Sequence, residues 1–379
     1  VTTPDVPGLL SAPQAAETAA AIASVQRPDG CIPWEDERHA DPWNHVEAAM
    51  ALDACGLHSQ AARAYRWLAR AQRADGSWAA GHHDGRVVDA FTDANFCAYP
   101  VAGVWHHFLA TTDRDFLHEM WPTVEAAVEC VLTLQQPQGE VWWARDAEGR
   151  PWPGALVSSC SSIYKSLGCA GSAASMVGQA RPRWWLARRG LGEALRLRPD
   201  AFEPKPRWAM DWYYPVLGGA FQGAAADARL AAGMATFVVE GIGVRCVSDR
   251  PWVTVAETCE VVLALQAIGH QTEARRLFGW LAPLRGPGGH YWTGVTFPDV
   301  EFWPDERPTW TSAAVLLAAD ALYQRSRTAC FFQHPERADR GSLAELPRGQ
   351  RPPIDVVRRL AALRRAGEDV VDRQQATGA

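Results

Sequence analysis

The sequence predicts an all-α protein, an (α/α)6 toroid in which six helical hairpins close into an inner and an outer ring. Three observations predict it: a recurring unit of helix, Gln, Gly turn and Trp; helical periodicity along most of the chain; and connections that alternate in length.

The recurring unit comes first, because an internal repeat decides the architecture. It reads Gln26, Gly30, Trp34; then Gln72, Gly76, Trp78 after Ala64–Tyr65–Arg66–Trp67–Leu68; then Gln135, Gly139, Trp142. A degenerate copy keeps Leu284, Gly288 and Trp292 without the Gln. Each copy ends a helical segment. The glycine supplies a turn with positive φ, and the indole packs back over the helix end.

Periodicity and stop signals give helices near 12–26, 43–56, 58–72, 93–111, 113–136, 158–178, 182–197, 211–220, 222–232, 252–268, 270–284 and 307–325. Gly56–Leu57, Thr111–Thr112 and Gly269 make tight turns at one end, while long loops such as 73–92, 137–157 and 285–306 gather at the other. Short links force antiparallel neighbours. The segments starting near 43, 93, 158, 211, 252 and 307 are apolar nearly all round and form the inner ring. The others carry charged faces, as in Asp113–Arg114–Asp115 and Glu273–Ala274–Arg275–Arg276, and lie outside. The long loops therefore meet at the N-terminal ends of the inner helices, where a pocket is expected.

Composition narrows the function. The chain has 379 residues, is 47% hydrophobic and 21% charged, and carries a net charge of −6. That balance suits a core-forming protein and argues against a nucleic-acid partner. The nine cysteines are scattered without a CxxC pair, which reads as reduced core cysteine in a soluble cytoplasmic protein. No apolar run approaches the length of a membrane span, and no leader is evident. The Ala, Arg and Trp bias suggests a high-GC genome. No HExxH, CxxC or phosphate-loop motif calls for a metal or cofactor. Residues 1–328 are assigned to the toroid and 329–379 to a C-terminal appendage, with Ile354 to Val371 as one amphipathic helix.

Each inner helix opens with polar and aromatic residues. They are Asp41, Trp43, Asn44, His45 and Glu47; Asp93, Asn95 and Tyr99; Ser158 to Ser162, Tyr164 and Lys165; Asp211, Trp212, Tyr213 and Tyr214; Trp252, Glu257 and Glu260; and Asp305, Glu306, Arg307 and Trp310. Bland readings compete. Asp41, Asp93 and Asp305 suit N-caps, His45 suits a core histidine, and Trp212–Tyr213–Tyr214 suit packing. Caps do not explain Glu257 and Glu260, one turn apart inside a helix. A water-filled central cavity would remove the cost of burying them. Carboxylates across such a cavity could stand roughly 6.5–9.5 Å apart, as inverting glycoside hydrolysis requires.

Two families of this architecture are resembled. The unit Arg66, Trp67, Leu68, Gln72, Gly76, Trp78 resembles the QW repeat of squalene and oxidosqualene cyclases and the repeats of protein prenyltransferase β-subunits. Residues 1–325 look like actinobacterial proteins labelled prenyltransferase. Adjacent aspartates are absent, however, so the DxDD and DDxxD acids of that chemistry have no counterpart. The second resemblance is to six-hairpin glycosidases of the glucoamylase and trehalase type. Thr112–Asp113–Arg114–Asp115–Phe116–Leu117 with Trp121–Pro122, Val124 and Ala127 is similar to a helix common in those enzymes. Their pattern implies a mid-chain acid and a base before the last inner helix.

The leading expectation is an inverting glycoside hydrolase on a small glycoside or oligosaccharide. Asp211 or Glu257 would be the acid and Glu306 the base. Trp43, Asn44, His45, Asp93, Asn95, Tyr164, Trp212, Tyr213, Trp252, Arg307 and Trp310 would bind substrate. A terpenoid-cyclase-like enzyme on an isoprenoid and a non-catalytic scaffold are the alternatives.

Overall fold

A computed structural model describes residues 3–334 and 346–363. Helices α1 (Ala12–Ser24) and α2 (Pro42–Ala54) form the first hairpin, α3 (His58–Ala71) and α4 (Ala94–Thr111) the second, and α5 (Arg114–Leu132) and α6 (Val157–Met176) the third. Then follow α7 (Pro182–Leu197) with α8 (Ala209–Leu217), α9 (Gly223–Phe237) with α10 (Val255–Ile268), and α11 (Gln271–Phe278) with α12 (Thr309–Tyr323). Even-numbered helices pack in the order α2, α4, α6, α8, α10, α12 and back to α2, which closes the inner ring. The fold is the predicted (α/α)6 toroid. Every residue of α2 and of α10 is buried, as a helix surrounded by others requires.

The Gln of the repeat has a role that periodicity does not reveal. The Gln72 amide donates to Gly76 O and to Thr123 O of α5, both at 3.0 Å. Gln26 joins Gly30 O and Gln60 O, and Gln135 joins Gly139 O and Ala187 O, in the same way. The staples thus join α1 to α3, α3 to α5 and α5 to α7. At the degenerate copy the Thr18 hydroxyl of α1 supplies the bond instead, reaching Gly289 O at 2.7 Å and tying the loop after α11 to α1.

The glycines permit this approach. A Cβ at Gly76 would stand 2.1 Å from Ala126 O, and its φ is +84°. Only Trp78 of the repeat's indoles caps its helix end, donating to Leu68 O at 2.9 Å. Trp34 instead leans on Trp310 at 5.9 Å, and Trp292 stacks on Phe302 at 4.8 Å.

The mouth loops carry short antiparallel strands that sequence periodicity did not register. They are β1 (Gly81–His83) with β2 (Arg86–Asp89); β3 (Thr92–Asp93), β4 (Ala144–Arg145) and β5 (Pro151–Trp152); and β6 (Val238–Val239), β7 (Gly243–Arg245), β8 (Trp252–Thr254) and β9 (Gly294–Thr296). Strands of two to four residues are too short to alternate legibly.

At the other end the chain after α12 crosses the ring axis. Phe331 and Phe332 are buried there, the Lys165 ammonium donates to Phe331 O, and the His334 ring meets Val216 O at 2.7 Å. Residues 354–363 are helical, with Val356 and Leu360 buried; the remainder of the expected helix to Val371 lies outside the described residues.

Gly76→Ala forces both a left-handed φ and a backbone clash. It should cost roughly 2–4 kcal/mol in denaturant unfolding. Gln72→Ala, which abandons two carbonyls, should cost roughly 1–3 kcal/mol. Neutral results at both positions would mean that the staple does not hold the ring.

Candidate active site

The loops and the N-terminal ends of the inner helices meet at one mouth. Asp41 caps α2, accepting from Asn44 N–H at 3.0 Å, with the Asn44 amide also on its carboxylate. Asp93 ends β3 and caps α4, accepting from Asn95 N–H at 2.7 Å and Phe96 N–H at 3.1 Å. Burial, reinforced by the nearby charge of Asp41, pushes Asp93 up to about 6. Burial likewise raises Asp41.

Glu257 lies in the first turn of α10, buried, with the Thr254 hydroxyl donating to its carboxylate. Glu306 precedes α12 and is half-buried; Thr293 offers its hydroxyl at 3.4 Å. Asp211, in the first turn of α8, is raised to about 6 by burial and is engaged with Ser158 at the start of α6, a helix whose own N-cap makes no side-chain bond. Asp305 is exposed.

Beneath the mouth lies a narrow axial cavity of about 20 Å³. Trp43, stacked on Tyr99 at 4.1 Å and 6.0 Å from Tyr214, crosses its upper part. Glu47 and Glu260 stand on its wall, and Lys165 and Phe332 line its far end. The Tyr99 hydroxyl donates to Glu47, and the Tyr213 and Tyr214 hydroxyls both donate to Glu260. Burial pushes Glu47 up to about 7 despite its tyrosine. Burial, then the charge of Glu257, raises Glu260 well above the carboxylate range. Asn95 Oδ1, Ser159 Oγ, Ser162 Oγ and Trp310 Nε1 are buried near these groups without a protein partner. Polar atoms so placed suit a hydroxylated ligand or its water.

Several of the predicted residues do not converge on this cavity. His45 is a core histidine: its Nδ1 accepts from Ile32 N–H and its Nε2 meets Ala64 O, both at 3.0 Å, and burial lowers it to about 4. Tyr164 lies 3.9 Å beneath the Arg188 guanidinium, against outer helix α7. Trp212 donates to Arg229 O at 2.9 Å and stacks on Phe237 of α9. Trp43, Asp93, Asn95, Tyr213 and Trp310 are brought to the cavity or its mouth, with Asn44 behind Asp41. Trp252 and Arg307 belong to the rim: the Trp252 indole donates to Trp303 O at 2.8 Å, and Arg307 lies 4.9 Å over Trp292. Glu35, whose carboxylate receives Arg307 N–H, and Thr254 were not singled out; Glu35 sits in a segment without periodicity, and Thr254 ends β8 just before α10 instead of lying in the predicted helix 252–268.

Among the described residues no group of three or more His, Cys, Asp or Glu is arranged to hold a metal. No described helix is long and apolar enough to cross a membrane.

The structure is thus a helical toroid with acids at its mouth and aromatics along its axis. Solved structures agree on the fold. A glycosidase variant in complex with glucose superposes with a TM-score of 0.66 at 15% identity, covering 82% of this chain and 96% of that one. A D-mannose isomerase gives 0.63 at 11% identity, with the same coverage. A rhamnosidase from Klebsiella oxytoca with rhamnose bound gives 0.60 at 16%, covering 85% of this chain and 65% of that one. No family model matches the chain. The chain belongs to the family of the MMP endo-(1,4)-3-O-methyl-alpha-D-mannosidase of Mycolicibacterium hassiacum, to which it is 51% identical over 319 residues, 84% of this chain and 89% of the relative. These relatives, a mannosidase, glycosidases and a sugar isomerase, give no support to the cyclase and prenyltransferase resemblance drawn from the repeat and from residues 1–325. That repeat is an outer-ring staple and carries no information about an isoprenoid.

Glu47 gives a test of the buried acids. Its folded pKa lies above its unfolded one, so its contribution is fully present below the unfolded value and is lost as pH rises to about 7. Glu47→Gln keeps a hydroxyl acceptor and removes that loss. It should be more stable than the parent by roughly 2–3 kcal/mol at pH 8 and no more stable at pH 4. Thermal melts across pH decide it; an unchanged difference between the two pH values would contradict burial as the cause.

Proposed function

We propose that this protein is an endo-acting α-mannosidase that hydrolyses internal α-(1,4) bonds between 3-O-methylmannose residues, with inversion. The observation that carries the substrate is the 51% identity, across most of both chains, to a relative named for that specificity. The chemistry is supported by the arrangement of carboxylates at the mouth.

Inversion needs a proton donor to the leaving oxygen and a base on the opposite face of the sugar, with room for water between them. Acids on facing walls meet that need better than acids on neighbouring walls. In the inner ring α10 is three helices from α4 and two from α2, whereas α12 is its neighbour. Glu257 on α10 is therefore assigned as the acid. A carboxylate of the Asp41–Asp93 pair on the facing wall is assigned as the base, its partner holding a sugar hydroxyl. Glu306, beside α10, is the base that the family pattern suggests and is the competing assignment. Asp211 has its carboxylate committed to Ser158 and serves α6. Trp43 offers an indole face to the sugar, and Asn95, Ser162 and Trp310 offer unpaired polar atoms to its hydroxyls.

In the reaction Glu257 gives its proton to the glycosidic oxygen as the C1–O bond breaks. The base takes a proton from water as the water oxygen bonds to C1 from the other side. The proton passed to the base returns to solvent, and Glu257 is reprotonated.

Glu257→Gln should lower kcat on the methylated polysaccharide by roughly 10²–10⁴-fold, with the fold intact by circular dichroism. Asp41→Asn or Asp93→Asn should do the same, and Glu306→Gln and Asp211→Asn much less. Full activity in Glu257→Gln, or a larger loss in Glu306→Gln than in both aspartate variants, would overturn the assignment. Asp93 must be ionised to serve in either of its roles. kcat/KM should therefore fall as pH drops through about 6, and this limb should move in Asp93→Asn.

A further inference from the structure

An enzyme that cuts inside a polymer must hold chain on both sides of the cut. The mouth carries two aromatic ledges that the site described above does not use. On one side Phe91, Trp143 and Trp152 form a cluster with ring centroids 5.3–5.4 Å apart. Trp152 is 44% exposed. On the other side Trp252 and Trp303 meet edge to face at 4.8 Å, with Trp303 53% exposed.

Two features tie these ledges to the site. One member of each cluster adjoins a strand that runs straight into an inner helix bearing a mouth acid: Phe91 precedes β3, which enters α4, and Trp252 begins β8, which enters α10. Asp93 on β3 is paired with Ala144 on β4, and Ala144 with Trp152 on β5, so Trp152 and Asp93 share one row of the sheet. Two strand spacings put Trp152 roughly 10 Å from Asp93 along that row. On the other side β8 carries Trp252 and ends at Thr254, whose hydroxyl holds Glu257. The two inner helices concerned, α4 and α10, face each other across the ring. The ledges therefore flank the mouth on opposite sides.

We propose that the Trp152 and Trp303 ledges are binding subsites for the polymer residues on either side of the cleaved bond. Resting on the substrate reading above, they take a neutral, O-methylated mannan chain. Indole faces bind the apolar face of a pyranose, and an O-methyl group in place of a hydroxyl adds apolar surface and removes a donor that an exposed indole cannot satisfy.

The test is kcat and KM for wild type, Trp152→Ala and Trp303→Ala on α-(1,4)-linked 3-O-methylmannose oligosaccharides of increasing length. Each variant should raise KM roughly tenfold on long chains while leaving kcat nearly unchanged. Neither should matter on the shortest chain that is cleaved, and the penalty should shrink on an unmethylated mannan of equal length. Both side chains are half-exposed, so thermal melts should match the parent. Unchanged KM at every length, or an equal loss at every length, would overturn the ledges and leave the substrate reading standing. A wild-type protein that cleaves none of these chains would overturn the substrate reading and the ledges with it.

Discussion

The close contact of a loop glycine with the backbone of the neighbouring outer helix sets four junctions of the outer ring. Gly30 abuts Arg63, Gly76 abuts Ala126, Gly139 abuts Gly190 and Gly289 abuts Glu17 and Thr18. At each of these junctions no side chain can stand between two backbones, and a Gln amide or the Thr18 hydroxyl bonds across the gap. The spacing at these junctions is thereby set by main-chain geometry and not by side-chain volume. Inner helices α2, α4, α6, α8 and α10 are each tied to the following outer helix by a short connection.

The cavity in turn governs the electrostatics. Carboxylates buried without partners would cost several kcal/mol each. Here hydroxyls meet them: Tyr99 for Glu47, Tyr213 and Tyr214 for Glu260, and Thr254 for Glu257. The deeper pair is held on tyrosines beside the stacked pair Trp43–Tyr99. The mouth acids are held by helix N-termini and one threonine.

Much of this was legible in the sequence. The hairpins could be read because the outer helices carry charged faces and the turns carry Gly56, Thr112 and Gly269, all with positive φ. The repeat pointed to a closed ring, and the mouth followed from loop length. The inner helices were harder, for a physical reason. A helix buried all round has no polar face, so nothing in its periodicity says which residues point at the axis. Asp93 and Trp43 turn inward while His45, Tyr164 and Trp212 pack against neighbouring helices; the core reading of His45 and the packing reading of Trp212 hold, but nothing in the sequence set Tyr164 apart from Trp43. The function of the repeated Gln was invisible as well, because its acceptor lies more than thirty residues away. The rim sheets that carry the ledges depend on pairings between loops, which strands of two or three residues do not announce.

The most direct test of the central claim is the anomeric configuration of the first product. Proton NMR during cleavage of α-(1,4)-linked 3-O-methylmannose polysaccharide reads the new reducing end before mutarotation. Carboxylates acting from facing walls on either side of the sugar predict that the β-anomer appears first and then relaxes towards equilibrium. Initial release of the α-anomer would mean a covalent intermediate and a closer pair of acids, contradicting the assignment of Glu257 against Asp41 and Asp93.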